Sequence, residues 1–134
     1  MSTQTIREYQ GIVPFLRGDG VETRLMIGTD IAADAPFTTG TTVFPPGSAA
    51  PMHSHNCAEQ VTVLEGSARA EVDGETFDLK PMDTSYIPAD LPHRFVNTGD
   101  GDLKIFWIYG AQVVTRTFTD TGETVPHLSA RDQV

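Results

Sequence analysis

The sequence of 134 residues predicts an all-β fold, a sandwich or barrel formed as a single domain. Short runs of β-branched and aromatic residues recur at regular spacing, and clusters of Gly, Pro and Asp separate them. No window has a convincing helical period, and the short segment 30–35 is the best helical candidate. The predicted strands are residues 21–27, 38–44, 60–64, 67–72, 75–79, 84–87, 93–96 and 103–109.

Each element has its own local signal. Residues 21–27 alternate in polarity, and residues 38–44 are rich in Thr and other β-branched side chains. Between the runs 67–72 and 75–79, the dipeptide Asp73-Gly74 is a strong signal for a two-residue hairpin. These signals together favour many short antiparallel strands.

The last predicted strand, residues 103–109, is apolar on both faces, which predicts that both faces are covered. Two different partners could cover its outer face, and the sequence gives them nearly equal support. One is a second copy of the chain in a homodimer, and the other is the terminal segments 1–12 and 111–134. We expect a homodimer.

Composition and charge exclude several function classes. The net charge of −9 disfavours binding to nucleic acid and to anionic membranes. No apolar stretch is long enough to span a bilayer, and the N-terminus lacks the apolar core of a signal peptide. The single cysteine, Cys57, cannot form an intramolecular disulfide, so we expect a cytoplasmic location. Cys57 itself is expected to be a small buried hydrophobe rather than a redox-sensitive residue at a pocket mouth.

Four residues of metal-ligand type are placed so that they can converge. His53 and His55 are two positions apart, which puts both side chains on one face of a strand. Glu59 begins the next run on its more apolar face, where a buried carboxylate needs compensation. Gln60 could replace Glu59 after a one-residue register slip, but an amide oxygen is the weaker ligand. With His93 from a separate strand, the set suits one divalent ion such as Fe, Mn, Co, Ni or Zn.

These residues also carry a family resemblance. The first motif of the cupins reads Gly, five residues, His-x-His, three or four residues, Glu, six residues, Gly, and residues 47–66 match it without departure. The second motif spans residues 82–97, where Met82 and Asp90 replace two glycines of the pattern. Asp90 tolerates a left-handed turn, whereas Met82 does not, so we expect a negative φ at Met82. The resemblance implies a double-stranded β-helix, or jelly-roll barrel, covering residues 1–134.

The resemblance further implies a metal held by His53, His55, Glu59 and His93. The expected function is a mononuclear metalloenzyme acting on a small oxygenated organic molecule, by dioxygenase, decarboxylase or lyase, or isomerase chemistry. The alternative is a non-catalytic cupin that binds a small molecule or a metal. The residues expected to line the pocket are Gln60, Val61, Val63, Phe95 and Trp107. We expect surface positions for three further residues, namely Arg69, Arg116 and His127.

Overall fold

A computed structural model describes residues 6–134, which form two six-stranded antiparallel sheets facing each other. The strands are β1 (Phe15–Gly18), β2 (Val21–Ile27), β3 (Thr38–Phe44), β4 (His53–His55), β5 (Glu59–Glu65), β6 (Ala68–Val72), β7 (Glu75–Leu79), β8 (Thr84–Ile87), β9 (His93–Asn97), β10 (Leu103–Tyr109), β11 (Thr115–Phe118) and β12 (Thr124–Pro126). One sheet has the order β1-β2-β3-β10-β5-β8, and the other has β12-β11-β4-β9-β6-β7. This is the predicted all-β jelly-roll barrel.

Side-chain alternation directs one face of each sheet inward. In β10 every second residue, from Leu103 to Tyr109, is buried, and the residues between them are half-buried. Val61 and Val63 of β5 are also fully buried, since their register partners in β10 are Trp107 and Ile105 and all four side chains lie on the inward face. The core therefore lies between the sheets, where burial of apolar surface stabilises the fold.

Close packing at the centre of the first sheet depends on a glycine. Gly40 in β3 is the register partner of Trp107 in β10. A Cβ atom at residue 40 would lie 2.4 Å from the carbonyl oxygen of Arg24 and 2.5 Å from the Trp107 ring. Glycine is thus required here so that the indole can lie flat across β3, where its N–H donates to the Thr42 hydroxyl at 3.0 Å.

The hairpin prediction is confirmed, whereas two smaller expectations are wrong. Val72 pairs with Glu75 around Asp73-Gly74, and both turn residues have positive φ, as a type I′ turn requires. Residues 30–35 form turns and no helix, because the segment is too short to repay helix nucleation. Met82 has φ 76°, against the expected negative value.

The conformation of Met82 follows from its turn. Asp83 N–H donates to the carbonyl of Lys80 at 2.9 Å, which places Pro81 and Met82 at the two central positions. Proline at the first central position fits both type I and type II turns, and the positive φ at the second position makes this turn type II. The Met82 side chain is 73% exposed, so the strain stays local and meets no neighbour in the core.

The C-terminal part of the chain adds strands that the sequence patterns do not resolve fully. β11 pairs with β4, and β12 pairs with β11, so the terminal segment extends the second sheet. Residues 113–118 alternate along the chain, and β11 lies within them. Within residues 6–134 the structure contains no helix with the length and apolar character needed to cross a membrane.

Candidate metal centre

The three histidines meet because two neighbouring strands present them to the interior. β4 carries His53 and His55 on one face, and His53 is the register partner of His93 in β9. All three side chains are buried. Glu59 approaches from the opposite sheet, at the start of β5, where it pairs with Tyr109 of β10. The cluster therefore lies between the two sheets.

The distances within this cluster are those of a potential ligand set. One ring nitrogen from each histidine lies within 4.8 Å of the other two. The ring centroids of His53 and His93 are 4.5 Å apart, and those of His55 and His93 are 5.4 Å apart. Glu59 Oε1 lies 3.1 Å from His93 Nε2 and 3.6 Å from His55 Nε2. The structure thus brings together all four residues that the sequence singles out.

Backbone carbonyls fix the tautomer of each imidazole. Nδ1 of His53 lies 2.6 Å from the carbonyl of Pro51, and Nδ1 of His93 lies 2.9 Å from that of Leu91. Nδ1 of His55 lies 3.0 Å from the carbonyl of Thr115. A carbonyl only accepts, so each Nδ1 carries a proton, and in a neutral ring the Nε2 atom keeps a lone pair. This is the arrangement in which a protein commonly orients histidine ligands to a metal.

Burial keeps the cluster in the charge state that a cation requires. It lowers the pKa of His55 to about 4 despite the nearby Glu59 carboxylate, and it is also the main cause of the strongly lowered pKa of His53. Burial raises the pKa of Glu59, but the hydrogen bond with His93 and the proximity of His55 outweigh it, so that pKa lies below its usual value. At neutral pH the site therefore combines neutral His53 and His55 with an ionised Glu59.

The donor set has a direct chemical consequence. His93 Nε2 and Glu59 Oε1 lie 3.1 Å apart, where a hydrogen bond joins them, and a cation bound between them would take the place of the shared proton. Three imidazole nitrogens and one carboxylate oxygen suit a borderline divalent ion of the first transition row. The residues present therefore fit one divalent transition metal ion.

A small cavity of about 40 Å³ adjoins the cluster. That volume has room for only a few water-sized atoms. The expected lining residues Phe95 and Trp107 border it, whereas the buried Val61 and Val63 pack in the core without lining it. Gln60 is exposed on the outer face of β5, which corrects its expected place in the pocket. Strand alternation turns it away from the interior, since its neighbour Glu59 points inward.

Three polar residues near the cavity lie where the sequence patterns did not place them. Arg116 was expected at the surface, but it is 4% exposed and lines the cavity. Arg17 of β1 also lines the cavity, and its guanidinium shares the Asp132 carboxylate with Arg116. Alternation along residues 113–118 puts Arg116 on the same strand face as Val114 and Phe118. That shared face was the only sequence signal for an inward position of Arg116.

The sequence patterns also did not predict that Tyr109 and His127 lie at the site. The Tyr109 hydroxyl lies 3.3 Å from His55 Nε2, and burial raises the pKa of Tyr109 well above its usual value, so this hydroxyl stays protonated. His127, expected at the surface, packs edge-on against the rings of Trp107 and Tyr109. Burial lowers the pKa of His127 to about 3, so it is a neutral packing residue. Arg69 is partly exposed and pairs with Glu71, as expected of a surface residue.

Cys57 lies in the loop between His55 and Glu59 without lining the cavity. The residue is 9% exposed and belongs to the apolar core. Burial, followed by the charge of Glu59, raises the pKa of its thiol to about 11. A thiol with so little thiolate is a poor nucleophile, so Cys57 acts as a small hydrophobe.

Comparisons with known proteins give the fold and the two-motif segment a context. A family model described as "Cupin domain" matches residues 40–109, which contain all four residues of the cluster. An uncharacterised protein of Methanocaldococcus jannaschii is 33% identical over 99 residues, which are 73% of this chain and 79% of that protein. The 5-nitrosalicylic acid 1,2-dioxygenase of a Bradyrhizobium species is 34% identical over 64 residues, which are 48% of this chain and 31% of that enzyme.

A solved structure supports the same architecture. The structure described as a predicted oxalate decarboxylase from Thermotoga maritima superposes with a TM-score of 0.71 at 22% identity. The superposition covers 80% of this chain and 99% of that one. At this identity the likeness shows the barrel fold alone.

Proposed function

The chain belongs to the cupin family, and we propose that it is a mononuclear metal-dependent enzyme acting on a small oxygenated organic molecule. The observation that carries this proposal is the charge pattern of the cluster. Three imidazoles, each held at Nδ1 by a backbone carbonyl, bring one ring nitrogen apiece together beside one ionised carboxylate. A divalent cation neutralises that arrangement better than any group in the described part of the protein.

In this proposal His53, His55, Glu59 and His93 hold the ion. A bound divalent ion would supply Lewis-acid activation of a substrate oxygen. The carbonyls of Pro51, Thr115 and Leu91 hold the ring orientations, since each accepts the Nδ1 proton of one histidine. This outer layer of hydrogen bonds fixes the ligand atoms before any ion binds, which lowers the reorganisation that binding would otherwise need.

The other cavity residues would orient the substrate and exclude water. The Tyr109 hydroxyl keeps its proton and can donate a hydrogen bond to a substrate oxygen. Phe95 and Trp107 supply apolar walls beside the histidines. An apolar wall with a few directed polar groups is typical of a site for a small organic molecule.

Dioxygenation, decarboxylation or C–C and C–O lysis, and isomerisation are the reaction types that this site admits. The similarity to a protein named a dioxygenase supports oxygen chemistry among them, although this chain spans less than a third of that enzyme. The volume of about 40 Å³ favours a substrate with few heavy atoms at the metal.

The second candidate is a non-catalytic cupin that binds a metal or small molecule. One observation favours it. Apart from the four candidate ligands, the described residues lining the cavity include only the protonated Tyr109 hydroxyl and two arginines as ionisable groups. A reaction that requires a separate general base would have none there.

We also propose that the chain forms a homodimer. Outer-face residues of β10 such as Phe106 and Ile108 are only half-buried in the single chain, and Tyr86 of β8 in the same sheet is 72% exposed. A second copy would cover this sheet face and remove its apolar surface from water.

Anaerobic loading with Fe(II) or Mn(II), followed by a panel of small carboxylic and hydroxy acids, tests catalysis. Oxygen uptake or product formation that needs the loaded metal supports the enzyme. Stoichiometric binding without turnover across the panel favours the non-catalytic alternative. The matched control is the His93→Ala variant carried through the same loading, because any turnover that survives in it does not arise from this centre.

A further inference from the structure

Two buried arginines share a single carboxylate beside the metal cavity. Arg17 comes from β1, Arg116 from β11, and Asp132 from the segment 127–134 that follows β12. One oxygen of Asp132, Oδ1, lies 3.0 Å from Arg17 Nη1 and 2.8 Å from Arg116 Nη1. Asp132 is completely buried, and the two arginines are 7% and 4% exposed.

The charges of this group do not balance. Two guanidinium groups face one carboxylate. Buried charge is costly when it is only partly paired, so an anion that pairs with both guanidinium groups more completely than the shared Oδ1 of Asp132 would be favoured at this position. The carboxylate of Glu59 belongs to the histidine cluster, where it faces His55 and His93.

Arg116 also has donors without acceptors. Its Nε is buried and has no hydrogen-bond partner among the described residues. Its Nη2 lies 3.4 Å from His53 Nδ1, but that nitrogen already donates to Pro51 and cannot accept. A guanidinium with free donors at the wall of a cavity is matched to a planar carboxylate, which accepts two such bonds at once.

The segment that carries Asp132 closes this side of the cavity through a few polar contacts. Leu128 N–H donates to Asp132 Oδ2 at 2.7 Å, and Val134 N–H donates to the Arg17 carbonyl at 3.0 Å. Val134 lines the cavity together with both arginines. After β12 ends at Pro126, the segment contains only turns and irregular backbone. Both arginines also donate to its backbone, at the carbonyls of Asp132 and Gln133, so the segment is attached to the barrel mainly through the arginine group.

We propose that Arg17 and Arg116 form a carboxylate-binding subsite of the metal cavity, with Asp132 as an internal occupant that a small substrate carboxylate replaces. This inference rests on the proposed function and specifies its substrate class as small carboxylates. Replacement exchanges one charge-assisted pair for another, so it needs no new buried charge. It also enlarges the cavity, because segment 127–134 must move away from the arginines.

Formate binding, read from the fluorescence of Trp107, tests the subsite directly. Trp107 is the single tryptophan of the chain and borders the same cavity. Formamide is the uncharged control, and each titration is run on metal-free and on Mn(II)-loaded protein. We expect the Asp132→Asn variant to bind formate about tenfold more tightly than the wild type, since the internal competitor has lost its charge. Asp120→Asn, which removes an exposed charge, is expected to leave formate binding unchanged.

Removing one of the two arginines should lower the affinity for formate. Arg116→Gln in the Asp132→Asn background removes the gain in formate affinity. Formate affinity that is the same in the wild type and in Asp132→Asn, or equal binding of formate and formamide, overturns the proposal.

Hydrogen exchange on the wild-type protein tests the replacement of Asp132 without any substitution, so it does not depend on whether the variants fold. Saturating formate should increase exchange at the amides of Leu128 and Val134 by about tenfold, because both are protected through the closed segment. Unchanged exchange at both amides contradicts replacement of Asp132. Metal content measured on the same samples separates the two failures. Formate binding by metal-free protein that takes up no metal would refute the metal centre and keep the anion subsite, whereas metal uptake without formate binding would do the reverse.

Discussion

Replacing Glu59 with Gln should weaken metal binding far more than its small change in shape suggests. The substitution removes the one carboxylate that contacts the histidine cluster within residues 6–134. The new amide would also donate to His93 Nε2, now 3.1 Å from Glu59 Oε1, and would occupy the lone pair that a metal needs. The lost carboxylate charge and the occupied His93 nitrogen therefore both weaken metal binding.

The size of the effect can be worked out from linkage. Changes in groups that only support metal ligands weaken affinity by about 10- to 100-fold, so we expect a loss of at least about 100-fold for Glu59→Gln. At a metal concentration about 100 times the wild-type Kd, bound metal stabilises the fold by roughly 2.7 kcal/mol. The variant would retain only about 0.4 kcal/mol at that concentration. For a chain of this length the metal-induced rise in Tm should fall from about 10 °C to about 2 °C.

Thermal unfolding with and without Mn(II), Zn(II) or Ni(II) measures this difference, and metal-free samples correct for any intrinsic change in stability. The matched control is Gln60→Glu, which adds a carboxylate at the adjacent but outward-facing position. We expect its metal-induced rise in Tm to equal that of the wild type. Equal losses in the two variants would mean that the register of β5 is wrong and that Glu59 does not face the cluster.

Three further outcomes are expected. Gly40→Ala should reduce the free energy of unfolding by roughly 1–3 kcal/mol through overpacking against Trp107, as measured by urea denaturation, whereas Gly101→Ala, whose Cβ would meet nothing within 4 Å, should change it little. Burial raises the pKa of Asp132, but Arg17 and Arg116 outweigh it and lower this pKa from 3.8 to about 2. Asp132 should therefore contribute roughly 2–3 kcal/mol above pH 4 that is lost between about pH 4 and pH 2, and the pH-dependent unfolding of Asp132→Asn should lack this loss. Sedimentation at micromolar concentration should give a dimer, and a monomer would refute the proposed cover of β10.

The strands and the convergence of ligand-type residues could be predicted because they depend on local rules. Alternation places His53 and His55 on one face whatever the rest of the chain does, and the Asp73-Gly74 turn sets its own register. The same rule explains the correction for Gln60, since adjacent residues of a strand point to opposite faces. Met82 adopts the positive φ of a type II turn, which its sequence did not indicate because Pro81 before it fits both type I and type II turns.

The arginine group could not be predicted because it depends on distant partners. Arg17 and Asp132 are separated by 115 residues, and their contact exists only because the segment after β12 folds back over the barrel. Nothing near Arg116 in the sequence indicates that its charge is shared with β1. His127 is similar, since its packing against Trp107 depends on the path of an irregular segment without periodicity.

Metal analysis of the purified protein decides whether the histidine cluster is a metal centre. We expect about one divalent transition metal ion per chain after equilibration with Mn(II), Fe(II), Co(II), Ni(II) or Zn(II). We also expect His53→Ala and His93→Ala to remove this metal while both variants stay folded by circular dichroism. A wild-type protein that takes up none of these ions, or histidine variants that retain the ion at full occupancy, would show that the cluster is not a metal site.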